Sequence, residues 1–365
     1  MSETVLILNN DIGGLYSFRR EVVGAIRDAG YEVTISVPKG NQSKTDFFES
    51  IGCQIEVTDF NRRGTNPIND VRLLMRYCRI LRRLKPKVVL TYTIKPNIYG
   101  GIAARMFRVP QLANITGLGD AVENGGLLQK LTILLYRVGL NKASKVFFQN
   151  TKNKEFCITA KIVNGNSELL PGSGVNLKHH SYQIYPMDEG KNRFLFIGRL
   201  LRDKGIVEYF EAAKIVKSKY SNTEFQVLGE VEGPYHHQLD DLVQSGIIHY
   251  LGSTGDVRPF IGSVECTVMP SYHEGMSNVN LESAANGRPV ITTNVAGCRE
   301  TVDDQITGYL VDVRDSQSLA ETMERFILLP YEQKVQMGVA GRRKVEQEFD
   351  RQIVIDSYLH AIQNV

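Results

Sequence analysis

The sequence lacks the features that mark membrane-spanning, metal-binding and secreted proteins. None of its apolar runs approaches the ~18–20 residues that a membrane-spanning helix needs. Its five cysteines are odd in number and scattered, and no pair of them has the spacing of metal ligands. The start of the chain is a short polar lead into a strand and does not resemble a signal peptide. These absences predict a cytoplasmic protein with reduced thiols and with no bound metal or cofactor.

Charge is unevenly distributed along the chain, although its net value is only +3. Residues 1–186 contain 25 Lys and Arg against 14 Asp and Glu, a net charge of +11, and the remainder carries −8. Many of the cations lie between residues 62 and 95. Because a positive surface attracts anions, we expect the first half to meet nucleic acid, anionic lipid or a diphosphate-bearing substrate.

Strand and helix patterns alternate along both halves of the chain, as they do in βαβ units with a parallel sheet. The predicted strands lie near residues 5–10, 32–38, 54–60, 87–93, 110–117 and 144–150 in the first half, and near 192–200, 224–230, 247–253, 266–271, 290–294 and 308–312 in the second. The predicted fold class is therefore α/β.

The restart of this pattern near residue 192 predicts two domains in the 365-residue chain. We place Rossmann-like domains at 1–180 and 193–365, with a polar linker at 181–192 and a central cleft between them. The last helix is a candidate to cross back to the first domain. Ligands are expected at the carboxyl ends of the strands in each domain.

The segment from Pro270 to Glu300 contains the highest concentration of candidate ligand-binding residues in the chain. It is predicted to run from a strand end through a loop into a helix, with Ser277 as the N-cap. A helix N-terminus at the end of a strand exposes unpaired N–H groups and suits a phosphate. Glu282, about one turn inside the helix, is placed to accept hydrogen bonds from a diol such as a ribose, and Glu274 in the loop is free to face the reacting end of a ligand.

Two cations, Arg199 and Lys204, lie at a predicted strand-to-helix turn about 70 residues before this segment. Cations beside a helix N-terminus are what a leaving diphosphate needs, because negative charge grows there as the bond breaks. We therefore interpret the two segments as parts of one site.

Together these motifs resemble the family 4 glycosyltransferases, which are retaining enzymes with the GT-B fold, over essentially the whole chain. The resemblance rests on the sequence GRLLRDKG around Arg199 and Lys204, on the Glu-x7-Glu element EGMSNVNLE and on the glycine-rich turn at 12–14. It implies that Arg199 and Lys204 hold and stabilise the donor diphosphate and that Glu274 contacts the transferred sugar, as the catalytic residues. The donor-binding residues that it implies are Gly13, Gly14, Gly229, Glu230, Tyr250, Leu251, Gly275, Met276, Ser277, Asn278 and Glu282.

Motifs in the first half narrow the resemblance to enzymes that build bacterial surface polysaccharides and lipid-linked oligosaccharides: NRRGTNP, TIKPNIYGGIAAR, NITGLG and LLPGSGVN. This subgroup implies a UDP-hexose or UDP-N-acetylhexosamine donor, bound by the second domain, and an undecaprenyl diphosphate-linked acceptor, bound by the first. The expected acceptor-binding residues are Tyr16, Arg62, Arg63, Lys95, Asn97, Asn114 and Thr116.

The basic residues of the first half and the helix at 127–140 are candidates for contact with an anionic membrane. This contact would hold the enzyme peripherally on the inner face of the plasma membrane.

No histidine precedes His179, although many relatives carry a first-domain histidine that contacts the donor sugar. The absence of a histidine base disfavours a simple inverting mechanism. Two alternatives to a retaining transferase are a nucleotide-sugar epimerase of the same fold and a non-catalytic binder of sugar or nucleic acid. Binding of nucleic acid is disfavoured because the chain lacks interleaved aromatic and basic residues of the single-strand type.

Overall fold

The computed structural model describes residues 3–61, 64, 66–118 and 126–365, without the side chains of residues 127 and 128. The chain forms two compact units. The first unit consists of Met1–Ser173 with Gln352–Val365, and the second unit consists of Gly174–Arg351.

The first unit is built on a seven-stranded parallel sheet. Its strands are β1 (Thr4–Leu8), β2 (Glu32–Val37), β3 (Gln54–Val57), β4 (Val88–Tyr92), β5 (Gln111–Ile115), β6 (Lys145–Phe148) and β7 (Ser167–Leu169). They lie in the order β3-β2-β1-β4-β5-β6-β7. The apolar runs of β1 and β4 are buried on both faces, as strands covered by helices on each side are.

Helices connect these strands. They are α1 (Ile12–Asp28), α2 (Gln42–Ser50), α3 (Pro67–Leu84), α4 (Gly101–Met106), α5 (Gly126–Leu140) and α6 (Thr151–Thr159), and a π-helical turn, Pro96–Gly100, precedes α4. The start of α3 follows from its sequence, since the Asn66 side chain accepts a hydrogen bond from the Ile68 N–H and Pro67 occupies the first turn.

The second unit has a six-stranded parallel sheet in the order β10-β9-β8-β11-β12-β13. Its strands are β8 (Asn192–Ile197), β9 (Thr223–Leu228), β10 (Ile248–Tyr250), β11 (Cys266–Met269), β12 (Val290–Thr293) and β13 (Gly308–Val311). Its helices, and the last helix of the chain, are α7 (Ile206–Lys219), α8 (His236–Gln244), α9 (Arg258–Gly262), α10 (Asn278–Ala285), α11 (Ser316–Ile327), α12 (Tyr331–Glu348) and α13 (Arg351–Gln363), with 3₁₀ turns at Arg202–Lys204 and Arg299–Thr301.

Each sheet contains one topological switch point, where successive strands begin to be added on the other side. In the first unit the switch lies between β1 and β4, and in the second it lies between β8 and β11. Ligands of open parallel sheets bind outside the carboxyl ends of the strands at such a point. The topology therefore predicts that ligands bind at the loops that follow these four strands.

The segment 181–192, which the sequence suggests as a linker, packs on the second unit. The buried Arg288 guanidinium donates hydrogen bonds to the carbonyls of Gln183 and Ile184. The Tyr185 hydroxyl donates to the Glu265 carbonyl. The boundary between the two units falls earlier, between Ser173 and Gly174.

The last helix, α13, contributes to the core of the first unit. The Tyr358 ring lies 4.8 Å from the Phe147 ring. The side-chain amide of Asn114 donates a hydrogen bond to the Tyr358 hydroxyl.

Within the described part of the chain, no helix combines the length and apolar character that crossing a membrane requires.

Candidate active site

Lys204 and Glu274 meet at the switch point of the second unit. Lys204 lies in the loop that follows β8, and Glu274 lies in the loop that follows the neighbouring strand β11. Their Nζ and Oε1 atoms are 2.5 Å apart, and the Ser271 hydroxyl donates a hydrogen bond to the same carboxylate oxygen at 2.8 Å. The structure thus brings together two side chains that are 70 residues apart in the sequence and gives the carboxylate a fixed orientation.

Backbone contacts hold the two loops against each other. Gly205 has φ +75°, and a Cβ at this position would lie 2.0 Å from the Pro270 carbonyl oxygen. The Tyr272 N–H donates to the Asp203 carbonyl, and the Tyr272 hydroxyl donates to the Glu208 carboxylate. Only glycine combines this backbone conformation with this close approach, so Gly205 fixes the distance between the loops.

A third loop supports Glu274 from the direction of β12. Gly297 has φ +85°, and a Cβ on it would lie 2.4 Å from the Glu274 carbonyl oxygen. The Ser277 N–H donates to the Gly297 carbonyl at 2.7 Å, and the Gly297 N–H donates to the Glu300 carboxylate at 2.7 Å. The sequence interpretation missed the roles of Gly297 and Glu300. The only local signal for them is a glycine followed three residues later by a carboxylate.

Helix α10 begins as the sequence predicts, because the Ser277 side chain accepts a hydrogen bond from the Asn280 N–H. Its expected phosphate contacts are only partly available. The Ser277 N–H is already bonded to Gly297, and the Met276 side chain is buried in the same apolar cluster as Leu281, which leaves only its backbone for a ligand. Gly275 and Asn278 flank these two residues at the start of the helix.

Arg199 pairs with Glu232 and not with Glu274. Its Nη1 atom lies 2.9 Å from Glu232 Oε2, and both side chains are about half exposed. Exposed pairs of this kind contribute only about 0–1 kcal/mol. The guanidinium can therefore exchange its carboxylate partner for a phosphate at little cost.

The residues expected around the nucleobase lie together at the carboxyl ends of β9 and β10. A Cβ on Gly229 would lie 1.9 Å from the Gly198 carbonyl oxygen, so the backbone there admits only glycine. The Tyr250 hydroxyl donates to the Gly229 carbonyl at 2.9 Å. Leu251 is partly buried beside them, and Glu230 is exposed.

Glu282 lies on α10, where its side chain is about one-quarter exposed. Burial raises the pKa of this carboxyl to about 7, and Arg351 acts in the opposite direction. His180 Nε2 lies 3.9 Å from Glu282 Oε1. The sequence interpretation missed His180, because the histidine occupies an irregular segment before β8 that carries no motif.

The switch point of the first unit differs from the expectation for its glycine turn. The Asp11 carboxylate accepts hydrogen bonds from the N–H groups of Gly13 and Gly14, at 3.2 and 2.8 Å, and caps α1. These N–H groups are therefore committed to a carboxylate of the protein itself. Tyr16, one turn further along, packs edge-on against Phe47.

Three of the expected acceptor residues are internal to the first unit. Lys95 is mostly buried and pairs with Asp70 at 2.7 Å. Asn97 and Asn114 are 0% and 1% exposed. The Asn97 side chain accepts from the Thr91 hydroxyl and donates to the Asn114 carbonyl. The structure thus corrects the expectation for both asparagines, which stabilise the core and are out of an acceptor's reach.

Two further acceptor candidates, Arg62 and Arg63, lie outside the described residues, and Thr116 is half-buried at the end of β5. Thr93, which the sequence did not single out, directly follows β4 at the switch point. Its φ is +69°, and its buried hydroxyl has no hydrogen-bond partner among the described residues. Strained, unsatisfied residues of this kind are concentrated at functional sites.

A basic cavity of about 550 Å³ opens near the carboxyl ends of β2 and β3 in the first unit. Its charged and amide-bearing lining residues are Lys39, Asp59, Asn61, Asn69, Arg72 and Arg76. The described residues contain no group of three or more His, Cys, Asp or Glu side chains placed to bind a metal ion.

Two family models match the chain. The model for glycosyl transferases group 1 matches residues 180–344, and the model for glycosyl transferase 4-like proteins matches residues 6–150. The chain belongs to the family 4 glycosyltransferases. The predicted family is therefore confirmed, and with it the prediction that the protein is an enzyme.

Individual relatives of this glycosyltransferase agree with the family models. The N,N'-diacetylbacillosaminyl-diphospho-undecaprenol alpha-1,3-N-acetylgalactosaminyltransferase of Campylobacter jejuni is 26% identical over 94% of both chains. The UDP-Gal:alpha-D-GlcNAc-diphosphoundecaprenol alpha-1,3-galactosyltransferase of Escherichia coli is 26% identical over 72% of both chains.

The solved structure of HepE from Anabaena, in complex with UDP and glucose, superposes on this glycosyltransferase with a TM-score of 0.81 over 100% of both chains, at 16% identity. This likeness confirms the predicted α/β GT-B fold.

Proposed function

We propose that the enzyme is a retaining glycosyltransferase that moves a hexose or N-acetylhexosamine from a UDP-sugar to a hydroxyl of an undecaprenyl diphosphate-linked sugar, in surface polysaccharide or glycan assembly. The observation that carries the proposal is the Lys204–Glu274 pair at the switch point of the second unit. The names of the Campylobacter and Escherichia relatives, which specify diphosphoundecaprenol acceptors, support the acceptor class.

In the proposed mechanism, the donor diphosphate binds beside Lys204 and Arg199, and each cation leaves its present carboxylate partner for a phosphate oxygen. Negative charge develops on the diphosphate as the glycosidic bond breaks, and fixed cations stabilise it where it forms. Glu274, released from Lys204 but still held by Ser271, faces the transferred sugar. The Ser271 contact keeps the carboxylate oriented during this exchange.

The acceptor hydroxyl attacks the same face of the sugar from which the diphosphate departs, and a leaving phosphate oxygen takes its proton. The transition state is oxocarbenium-like, as in glycoside hydrolysis. Positioning and electrostatic stabilisation supply most of the rate, so the chemistry needs no histidine base and no metal.

The acceptor is assigned to the first unit. The cavity lined by Lys39, Arg72 and Arg76 offers cations to the acceptor diphosphate. The charge of Lys95 is neutralised by Asp70, so we assign Lys95 a supporting role.

An anionic membrane is the proposed partner of the helical layer that contains α3 and α5. Ile68, Val71 and Met75 of α3 are 62%, 55% and 45% exposed and share one face of the helix, next to exposed arginines. Leu131, Leu134 and Val138 repeat this pattern on α5. Exposed apolar rows beside cations suit the interface of an anionic bilayer, which would place the enzyme on the inner face of the plasma membrane.

Flotation with liposomes tests the membrane proposal. The wild-type enzyme is expected to float with anionic vesicles at low salt and to be released at high salt, because Coulomb attraction to the headgroups is screened. Absence of the enzyme from the floated fraction at low salt would count against the proposal.

The transfer reaction is tested with a panel of UDP-sugars against a short lipid-diphosphate sugar, with the anomeric configuration of the product assigned by NMR. We expect an α-linked product from an α-linked donor, and none without acceptor. A β-linked product would exclude retention, and conversion of the donor without acceptor would favour the epimerase.

The donor-site assignment is tested by Lys204→Ala, with Lys214→Ala on α7 as the matched control because Lys214 pairs locally with Glu211. Lys204→Ala is expected to lower kcat at least ~100-fold, in line with the loss of one transition-state contact. Wild-type turnover in Lys204→Ala would contradict the assignment.

A further inference from the structure

His180 is a buried histidine that faces Glu282 in the second unit. It is 8% exposed, and its backbone N–H closes a turn by donating to the Asn176 carbonyl. The Nε2 atom lies 3.9 Å from Glu282 Oε1. The sequence predicts that Glu282 accepts hydrogen bonds from the donor ribose, so His180 lies beside the predicted ribose-binding carboxylate, and its inferred role rests on that assignment and on the proposed function.

The hydrogen bonds of Asn286 determine which imidazole nitrogen carries the proton. The Asn286 Nδ2 atom donates to the Glu282 backbone carbonyl at 2.6 Å, and the Asn286 Oδ1 atom accepts from Gln183 Nε2 at 2.9 Å. These two contacts fix the orientation of the amide. The second Nδ2 proton then faces His180 Nδ1 at 3.2 Å. Nδ1 must therefore be the acceptor, and the proton lies on Nε2, the atom that faces Glu282.

The surroundings keep this imidazole neutral. Burial lowers the pKa of His180 to about 4, with His179, Arg258 and Arg351 acting in the same direction and Asp256 opposing them. The guanidinium of Arg342 donates to the backbone carbonyls of His180 and Ala285. The charged and titratable groups around the pair are thus His179, Asp256, Arg258, Arg342 and Arg351.

We propose that His180 is a positioning residue for the ribose of the donor: held by Asn286 as the Nε2–H tautomer, it presents an N–H to the Glu282 carboxylate and favours the ionised form that accepts the ribose hydroxyls. The separation of 3.9 Å exceeds hydrogen-bond length, so the interaction is electrostatic. It acts in a partly buried setting, where the positive end of an N–H dipole affects a carboxylate more than it would in water. An ionised carboxylate in turn makes shorter and stronger hydrogen bonds to hydroxyls than a protonated one.

UDP affinity measured by calorimetry between pH 5.5 and 8.5 tests this role. The wild-type enzyme is expected to lose affinity as the pH falls through about 7, where Glu282 becomes protonated. In His180→Phe, which keeps the ring shape but has no N–H, the midpoint should rise by roughly 0.5–1 unit, a two- to fivefold loss at pH 7. In His180→Gln, whose side-chain amide can place an N–H near the position of Nε2, the midpoint should remain close to the wild-type value.

His237→Phe on α8 is the matched control, because His237 is an exposed histidine remote from Glu282 in the sequence. The terminal phosphate of UDP itself titrates at about pH 6, so the variants are compared in identical buffers and only differences between them are used. A His180→Phe midpoint equal to that of wild type, or a His180→Gln midpoint raised as far as that of Phe, would overturn the proposal.

Nitrogen-15 NMR of the histidine rings provides a second test that does not depend on a variant folding. His180 should give the pattern of a neutral Nε2–H imidazole from pH 6 to 8. A proton on Nδ1, or an imidazolium at pH 6, would contradict the inference.

The failure of the inference is distinguishable from a failure of the proposed function. If Glu282→Ala binds UDP as tightly as wild type, the ribose assignment itself is lost. If Glu282→Ala binds weakly but His180→Phe leaves the pH midpoint unchanged, only the role of His180 is lost.

Discussion

Replacement of Gly205 by alanine is the most direct test of how the two loops of the second unit place Lys204 beside Glu274. The new Cβ would lie 2.0 Å from the Pro270 carbonyl oxygen and 2.6 Å from the Pro270 carbonyl carbon, and both atoms belong to the backbone. A left-handed conformation costs a non-glycine residue about 1–2 kcal/mol, and overpacking typically adds about 1–3 kcal/mol. We expect Gly205→Ala to lower the free energy of unfolding by ~2–5 kcal/mol.

Gly246→Ala is the matched control, because Gly246 has φ +70° but no atom within 4 Å of the added Cβ. This variant should show only the conformational cost of about 1–2 kcal/mol. Urea denaturation gives both free energies, and UDP calorimetry reports whether the loops have separated. We expect Gly205→Ala to be the less stable variant and to bind UDP at least tenfold more weakly. Equal stability of the two variants, with wild-type UDP affinity in Gly205→Ala, would refute the argument.

Three further predictions concern buried polar groups. Asn97→Ala should lower the free energy of unfolding by ~1–3 kcal/mol, since it removes the acceptor of the Thr91 hydroxyl and a donor to the buried Asn114 carbonyl; an unchanged denaturation midpoint would contradict this. Thr93→Gly should raise the free energy of unfolding by about 1 kcal/mol by removing the strained φ, and an unchanged or lower value in urea denaturation would contradict this. Because the folded state raises the pKa of Glu282 from 4.5 to about 7, the folded protein binds the extra proton between these values. Stability should therefore fall as the pH rises through this window, and Glu282→Gln should remove that slope in denaturation series at several pH values.

The sequence was sufficient to predict the alternation of strands and helices and the residues with distinctive side chains in distinctive contexts. Lys204 and Glu274 could be proposed as partners because each lies in a strand-to-helix loop, and parallel strands carry such loops to one edge of the sheet. The elements that escaped prediction, α2, α6, α8 and β7, are short, and α2 is also largely exposed. Their apolar pattern is too weak to separate them from loops.

The contacts that depend on three-dimensional packing could not be predicted. Nothing local distinguishes Asn97 and Asn114, which are buried partners of Thr91 and Tyr358, from surface asparagines that bind a sugar. The capping of Gly13 and Gly14 by Asp11 is a local contact that an aspartate directly before a helix could have indicated, but the glycine-rich motif alone did not suggest it.

The return of α13 to the first unit has a consequence for the synthesis of the protein. Tyr358, Val354 and Ile362 belong to the same buried cluster as β1 and β4, although they are synthesised after the whole second unit. Between Ser173 and Gln352 the ribosome must synthesise the whole second unit, which takes about 10–40 s at about 5–20 residues per second. During this interval the first unit lacks part of its core and exposes apolar surface. The second unit is contiguous in the sequence, so the nascent chain can complete it before the first.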